Sequence, residues 1–260
     1  ITDNKYNEIW KLGYGQQNLS GLNLKAFRYV QISNLSSLST SEIAVLEARQ
    51  DFDDNEASFS SNRSLLNSEY EMGKYTIKVG NQNLYVDTQS RERQNYMGDT
   101  YINMMTSFGV SSNYSLMKRS LEYALNNPTW PAEYRLYSIN GAYKYYLYTG
   151  DTQFLQDCYS KLVSCLNEYS ITSRNLIGKC SKTILVDWPI ADRDNYKYDE
   201  AYYNTVINAV YVGACNNMAN IAQVLGKNSS QFTSKRDTVK NAMINQLYDP
   251  SKGYFYDGLD

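Results

Sequence analysis

The stretch from Val86 to Asp99, VDTQSRERQNYMGD, carries three acids and two arginines in a segment poor in helix formers. Asp87, Glu92 and Asp99 lie five and seven residues apart. One regular helix scatters carboxylates at that spacing around its circumference, whereas a loop running into a helix lets them converge. Glu92 sits between Arg91 and Arg93, and a guanidinium held against it would spoil it as a proton donor. In an extended segment neighbours point to opposite sides, so both arginines are expected to turn away from Glu92. Asp87 and Asp99, on its own side, would then favour the protonated carboxyl that a general acid of glycoside hydrolysis must keep. A solvated salt-bridge loop fits the same residues, and spacing alone leaves the two readings level. Asp99 also follows Gly98 and precedes the apolar run Thr100 to Phe108, the setting of a plain helix N-cap.

Two of the three tryptophans share a setting. Trp130 lies in NNPTWPAEY and Trp188 in ILVDWPIADRD, each before a proline, in a loop between helical stretches and near acids such as Asp187. An aromatic face beside carboxylates suits a sugar, whose C–H face stacks on the ring while its hydroxyls bond to the acids. Core packing at a helix start explains each tryptophan equally well. Trp10 has no such company and reads as structural.

The bulk composition removes whole classes of chemistry. The chain of 260 residues has no histidine, so Ser-His-Asp and Cys-His nucleophiles, imidazole zinc sites and imidazole switches are absent. The cysteines Cys158, Cys165, Cys180 and Cys215 form no CxxC pair; buried free thiols are expected and zinc is not. The loop acids lack EF-hand spacing, and no metal or cofactor is expected. A net charge of -2 with no block of like charge gives no footprint for nucleic acid or an anionic membrane. No apolar run approaches the ~20 residues that span a bilayer. The chain starts at Ile1 rather than methionine, as a processed product or a fragment does. Asn18, Asn34, Asn62, Asn113 and Asn228 begin N-x-S sequons, which chance produces in an Asn- and Ser-rich chain, and the compartment stays unassigned.

These residues must be held by something, and the periodicity changes along the chain. FRYVQI (Phe27 to Ile32) and EIAVLEARQDF (Glu42 to Phe52) read as strands, so residues 1–55 are expected to be the end of a β-sandwich or a strand layer. Residues 56–260 read as helical. Phe154, Leu155, Cys158, Leu162, Cys165, Leu166 and Tyr169 recur at helical spacing, as do Val206, Val210, Ala214, Met218, Ile221 and Leu225. Further helices are expected over Asn62–Met72, Thr100–Phe108, Ser115–Leu125, Glu133–Tyr148 and Phe232–Leu247. At YTGDT, Gly150 supplies a left-handed residue and Asp151 caps the next helix. Long helices joined by such corners imply antiparallel hairpins.

The acidic segment resembles the signature of bacterial α-L-rhamnosidases, in which an Asp, an Arg-Glu pair and a terminal Gly-Asp occur in this order before a barrel helix. FRYVQI resembles the end of the β-sandwich that precedes their catalytic domain. The Trp130 loop with its Tyr-rich helix and YTGD, then VDWPIADRD and a long helix ending LGK, are similar in order and spacing. The resemblance spans residues 25 to 257 and is most specific in the acidic segment.

It implies a mainly α fold, part of an (α/α) six-hairpin toroid preceded by strands from a β-sandwich, and inverting hydrolysis of terminal α-L-rhamnosides. On that mapping Glu92 is the general acid, and Asp87, Arg91 and Asp99 hold sugar hydroxyls. Tyr96, Trp130, Asp187 and Trp188 line the pocket. Family members usually carry Pro in place of Gln89 and Trp in place of Tyr96. Their general base is a Glu late in the toroid, beyond Asp260, and the expected helices make about half of the family's twelve. The expected partners are a carbohydrate substrate and the remaining part of a parent chain. A non-catalytic sugar-binding or scaffold protein on the same fold is the leading alternative. A six-hairpin enzyme for another sugar or for uronides, and a helical interaction protein, stand behind it.

Overall fold

The computed structural model describes residues 6–21, 23–186 and 201–260. Among them seven α-helices follow one another: α1 (Ser64–Gly80), α2 (Met97–Ser107), α3 (Tyr114–Asn126), α4 (Tyr134–Thr149), α5 (Thr152–Asn167), α6 (Thr205–Val224) and α7 (Ser230–Gln246). Two short antiparallel pairs accompany them. β1 (Tyr203–Asn204) pairs with β4 (Gly258–Leu259), and β2 (Tyr248–Asp249) pairs with β3 (Tyr254–Phe255).

Local chemistry sets the helix ends. The Asn113 side chain accepts from Leu116 N–H at the start of α3, and Asn204 accepts from Val206 and Ile207 N–H at the start of α6. The corner between α4 and α5 forms as expected. Gly150 adopts φ 68°, and Asp151 Oδ1 accepts from Phe154 N–H at 2.9 Å. Lys118 of α3 reaches Asp151 Oδ2 at 2.9 Å and ties the corner to the preceding hairpin.

Helix α4 is the centre of the packing and touches α2, α3, α5 and α6. Leu136, Ile139, Ala142 and Tyr145 are buried on it, and so are Arg135, Ser138 and Gly141, and it opens to solvent only near its C-terminal end, at Leu147 and Tyr148. Arg135 is tolerated there because Glu168 pairs with its Nε at 2.9 Å. The segment before residue 186 is sewn to α6 by the buried Asn208, whose side chain accepts from Ile177 N–H and donates to Ile177 O.

The first 55 residues differ from expectation. Neither Phe27–Ile32 nor Glu42–Phe52 forms a strand; among the described residues of this part the only regular element is a single 3-10 turn, Thr40–Glu42. A strand needs a neighbour for its N–H and C=O groups, and the two segments do not pair with each other. Tyr29, Val45 and Leu46 are exposed. Polar contacts with the helical part resume at Ala48 and Gln50, and apolar packing begins at Phe52, which meets Ile77 and Val110. Lys74 of α1, itself buried, donates to Asp54 O and to Ala57 O.

Candidate active site

The acidic segment is a loop closed on itself ahead of α2. Asp87 N–H donates to Gln94 O at 3.0 Å, and Gln94 N–H donates to Asp87 Oδ1 at 2.9 Å, so one side chain and three backbone groups shut the loop at its base. The Asn95 amide donates to Tyr85 O and Thr100 Oγ1, joining that base to α2. Inside the loop Arg93 takes a left-handed φ of 53°, and its guanidinium donates to Gln89 O and to the Tyr6 hydroxyl. The Gln89 amide donates to Gly80 O at the end of α1.

Only one of the two arginines behaves as the alternation of an extended chain predicts. Arg93 turns away, but Arg91 Nη1 meets Glu92 Oε1 at 2.8 Å. Residues 89–92 form a turn rather than an extended run, which cancels the alternation. The Arg91 side chain is 67% exposed in that pair, so the contact is of the weak, solvent-facing kind. The other carboxyl oxygen, Glu92 Oε2, is buried and meets no hydrogen-bonding partner among the described residues.

Asp99 is not the N-cap of α2. Tyr96 holds that position, and Asp99 sits one turn's edge further in, in the first turn of the helix. Burial, first, and then the charge of Asp87 push the Asp99 carboxyl above its ordinary range, against the pull of its own backbone N–H and of the Tyr134 hydroxyl. The upward pressure of one carboxylate on another thus falls on Asp99. An acid raised on folding binds more protons folded than unfolded, so its contribution to stability is present at low pH and is lost as pH rises through the folded value. Asp99→Asn removes that loss. The melting temperature of Asp99→Asn minus that of the wild type is therefore expected to climb between about pH 4 and about pH 7; a flat difference in calorimetric melts would show Asp99 to be unperturbed.

Two residues of the site were not singled out by sequence reasoning. Tyr134, the first residue of α4, donates to Asp99 Oδ2 at 3.4 Å. Its ring stands edge-on to Tyr96 at 6.4 Å and to Tyr137 at 6.2 Å, and Tyr137 packs on Tyr101. Burial raises the Tyr134 phenol, with the charges of Asp99 and Glu133 adding to it, so it stays a hydrogen-bond donor at neutral pH. Gly98 makes this contact possible: a Cβ there would lie 2.6 Å from the Tyr134 ring. Glu133, the second residue, is 4% exposed and accepts from Leu185 and Val186 N–H. The signal for both was their place directly after the Trp130 loop at a helix start.

Trp130 is 42% exposed on the connection between α3 and α4. Asp187 and Trp188 lie outside the described residues. The structure therefore links Asp87, Tyr96 and Asp99 around Tyr134 at the start of α2, and pairs Arg91 with Glu92 at the turn of the same loop. Among the described residues no group of three or more His, Cys, Asp or Glu is placed to hold a metal ion, and no helix is long and apolar enough to cross a membrane. Cys158, Cys165 and Cys215 are buried free thiols as expected, and burial pushes Cys158 up to about 12.

Comparison with known proteins adds the family. The model of the bacterial alpha-L-rhamnosidase 6 hairpin glycosidase domain matches residues 120–258, which hold the Trp130 loop and helices α4 to α7 but not the acidic loop. No curated protein matches the chain in sequence. Among solved structures, a GH78 family rhamnosidase of Bacillus sp. GL1 is similar over 80% of this chain and 23% of its own, with a TM-score of 0.71 and 19% identity. A rhamnosidase from Klebsiella oxytoca with rhamnose bound is similar over 80% of this chain and 44% of its own (TM-score 0.65, 13% identity). The Streptomyces avermitilis alpha-L-rhamnosidase complexed with L-rhamnose is similar over 75% and 20% (TM-score 0.57, 15% identity). At these identities the likeness speaks for the fold, and the chain spans less than half the length of each. With a matched stretch of more than half its length and helices paired as in these structures, the chain belongs to the bacterial α-L-rhamnosidase six-hairpin glycosidase family.

Proposed function

We propose that this chain forms the acid-bearing part of a glycoside hydrolase that removes terminal α-L-rhamnose with inversion. The observation that carries the reading is Glu92 Oε2, a carboxyl oxygen that is buried and has no protein partner among the described residues; the Arg91 contact on the other oxygen is solvent-facing and has to open for Glu92 to hold a proton. A buried oxygen of that kind calls for a partner, and when Glu92 carries its proton there a glycosidic oxygen accepts that O–H. In this role Glu92 delivers a proton to the leaving oxygen. Arg91, Asp87 and Asp99 bind sugar hydroxyls, and Tyr96, Trp130, Asp187 and Trp188 wall the pocket. Inversion needs a second carboxylate about 6.5–9.5 Å away to activate water, and the family resemblance puts it in a later loop than any of this chain. On the same reading residues 1–55 belong to a unit ahead of the helices and residues 56–260 to the toroid; the exposed Tyr29, Val45 and Leu46, which do not pack on the helices, support that division.

Calorimetry of this chain with L-rhamnose tests the site. Binding is expected, weakened about tenfold or more by Asp99→Ala, since a hydrogen bond to a charged group contributes about 1.5–3 kcal/mol. Undiminished binding by Asp99→Ala would remove the acidic loop from the sugar site. The Arg91–Glu92 pair favours a second reading, a sugar-binding or scaffold protein without turnover, because it engages the carboxyl as a fixed polar group. Rhamnose binding combined with no hydrolysis by the longer protein would select it.

A further inference from the structure

We infer that Glu133 is a positioning residue of the sugar site, one that clamps the backbone at Leu185 and Val186 to the Trp130 loop. The inference rests on the sugar-site reading above. Leu185 N–H donates to both Glu133 carboxyl oxygens, at 3.1 and 3.2 Å, and Val186 N–H donates to Oε1 at 3.0 Å. Two successive backbone N–H groups converging on one anion make a nest, here filled by a side chain of the protein itself.

The conformation at the clamp is not one the chain would choose. Val186 has φ 57°, a left-handed value that is an outlier for a β-branched residue. Such strain persists only where the surroundings over-determine it, and it gathers at functional sites. The surroundings here are a row of contacts between the same two segments. Ala132 N–H donates to Thr183 O at 2.9 Å, and Lys182 Nζ donates to Thr129 O at 3.2 Å. The Tyr169 hydroxyl donates to Ala132 O. Glu133 closes that row at the strained residue, so the Trp130 loop and the 182–186 segment behave as one body.

The test uses this chain, with Glu133→Gln and Glu133→Asp. A glutamine turns its NH2 toward one of the two donors and leaves one acceptor oxygen. Aspartate keeps the charge on a shorter arm and also serves if the glutamine variant fails to fold. Three quantities are read: amide exchange at Leu185 and Val186, L-rhamnose affinity by calorimetry, and the melting temperature. Glu133→Gln is expected to speed exchange at the two amides about tenfold or more and to weaken rhamnose binding about tenfold, with Glu133→Asp recovering part of both. A merely structural role lowers the melting temperature and leaves affinity of the folded protein unchanged; that outcome, or unchanged exchange, overturns the inference. If the wild type binds no rhamnose, the sugar-site reading fails and the positioning role with it, while the exchange rates still decide separately whether the clamp exists.

Discussion

Glu92→Gln in the longer protein is expected to lower hydrolysis of an α-L-rhamnoside with a poor leaving group by about 100-fold or more, the usual share of a general acid. The loss should shrink toward none as the leaving group improves, because a good one departs without a proton. Binding should change far less, since glutamine can leave its oxygen on Arg91 and place its NH2 where Glu92 Oε2 is buried, donating N–H to the same acceptor. Steady-state kinetics on a series of aryl rhamnosides separates these effects. Full activity on alkyl or sugar aglycones would sink the assignment of Glu92, whatever else binds in the loop.

The second large effect concerns Gly98. Its missing Cβ leaves room for Tyr134, whose Cε1 and Cζ both lie 2.6 Å from where that carbon would be. Gly98→Val must push the ring off Tyr96 and away from Asp99, and overpacking of this kind costs about 3 kcal/mol at its upper range. For a chain of this size that is roughly 5–10 °C of melting temperature. Backbone preference runs the other way, because glycine in a helix is the less favourable residue by about 1 kcal/mol against alanine. Gly98→Ala in a Tyr134→Ala background should therefore raise stability, while in the wild type it lowers it. A double-mutant cycle by chemical denaturation measures the difference. The same sign in both backgrounds would mean that the contact with Tyr134 is not what keeps a glycine there.

The helices were legible because their apolar residues repeat at helical spacing and their corners carry their own chemistry. The stripe from Phe154 to Leu166 is buried throughout on α5, and Gly150 and Asp151 take the conformations their types dictate. Boundaries slipped where tertiary contact decided them. α2 begins at Met97 rather than Thr100 because Gly98 packs beneath Tyr134, a contact with a residue 36 positions away. The orientation of Arg91 was misread because residues 89–92 turn where an extended run was expected, and no pattern of types announces that turn. The expected strands failed for a different reason. Phe27–Ile32 and Glu42–Phe52 have strand composition, but strand propensity describes fitness for a sheet and creates no partner. Glu133 was invisible because its partners lie more than fifty residues away and are backbone groups, which every residue type offers alike.

Glu133 and Tyr134 are neighbours in the chain, yet one faces Leu185 and Val186 and the other faces Asp99. Their Cα atoms are held about 3.8 Å apart by a trans peptide, a length that no repacking alters. The two contacts are therefore tied by a covalent ruler at the start of α4, a helix packed on α2, α3, α5 and α6. Loops on either side can lengthen, shorten or change sequence without moving these contacts relative to each other. A single residue inserted between positions 133 and 134 would rotate one of these side chains by about 100° around the helix, and no compensating change elsewhere in the chain could bring both back into place.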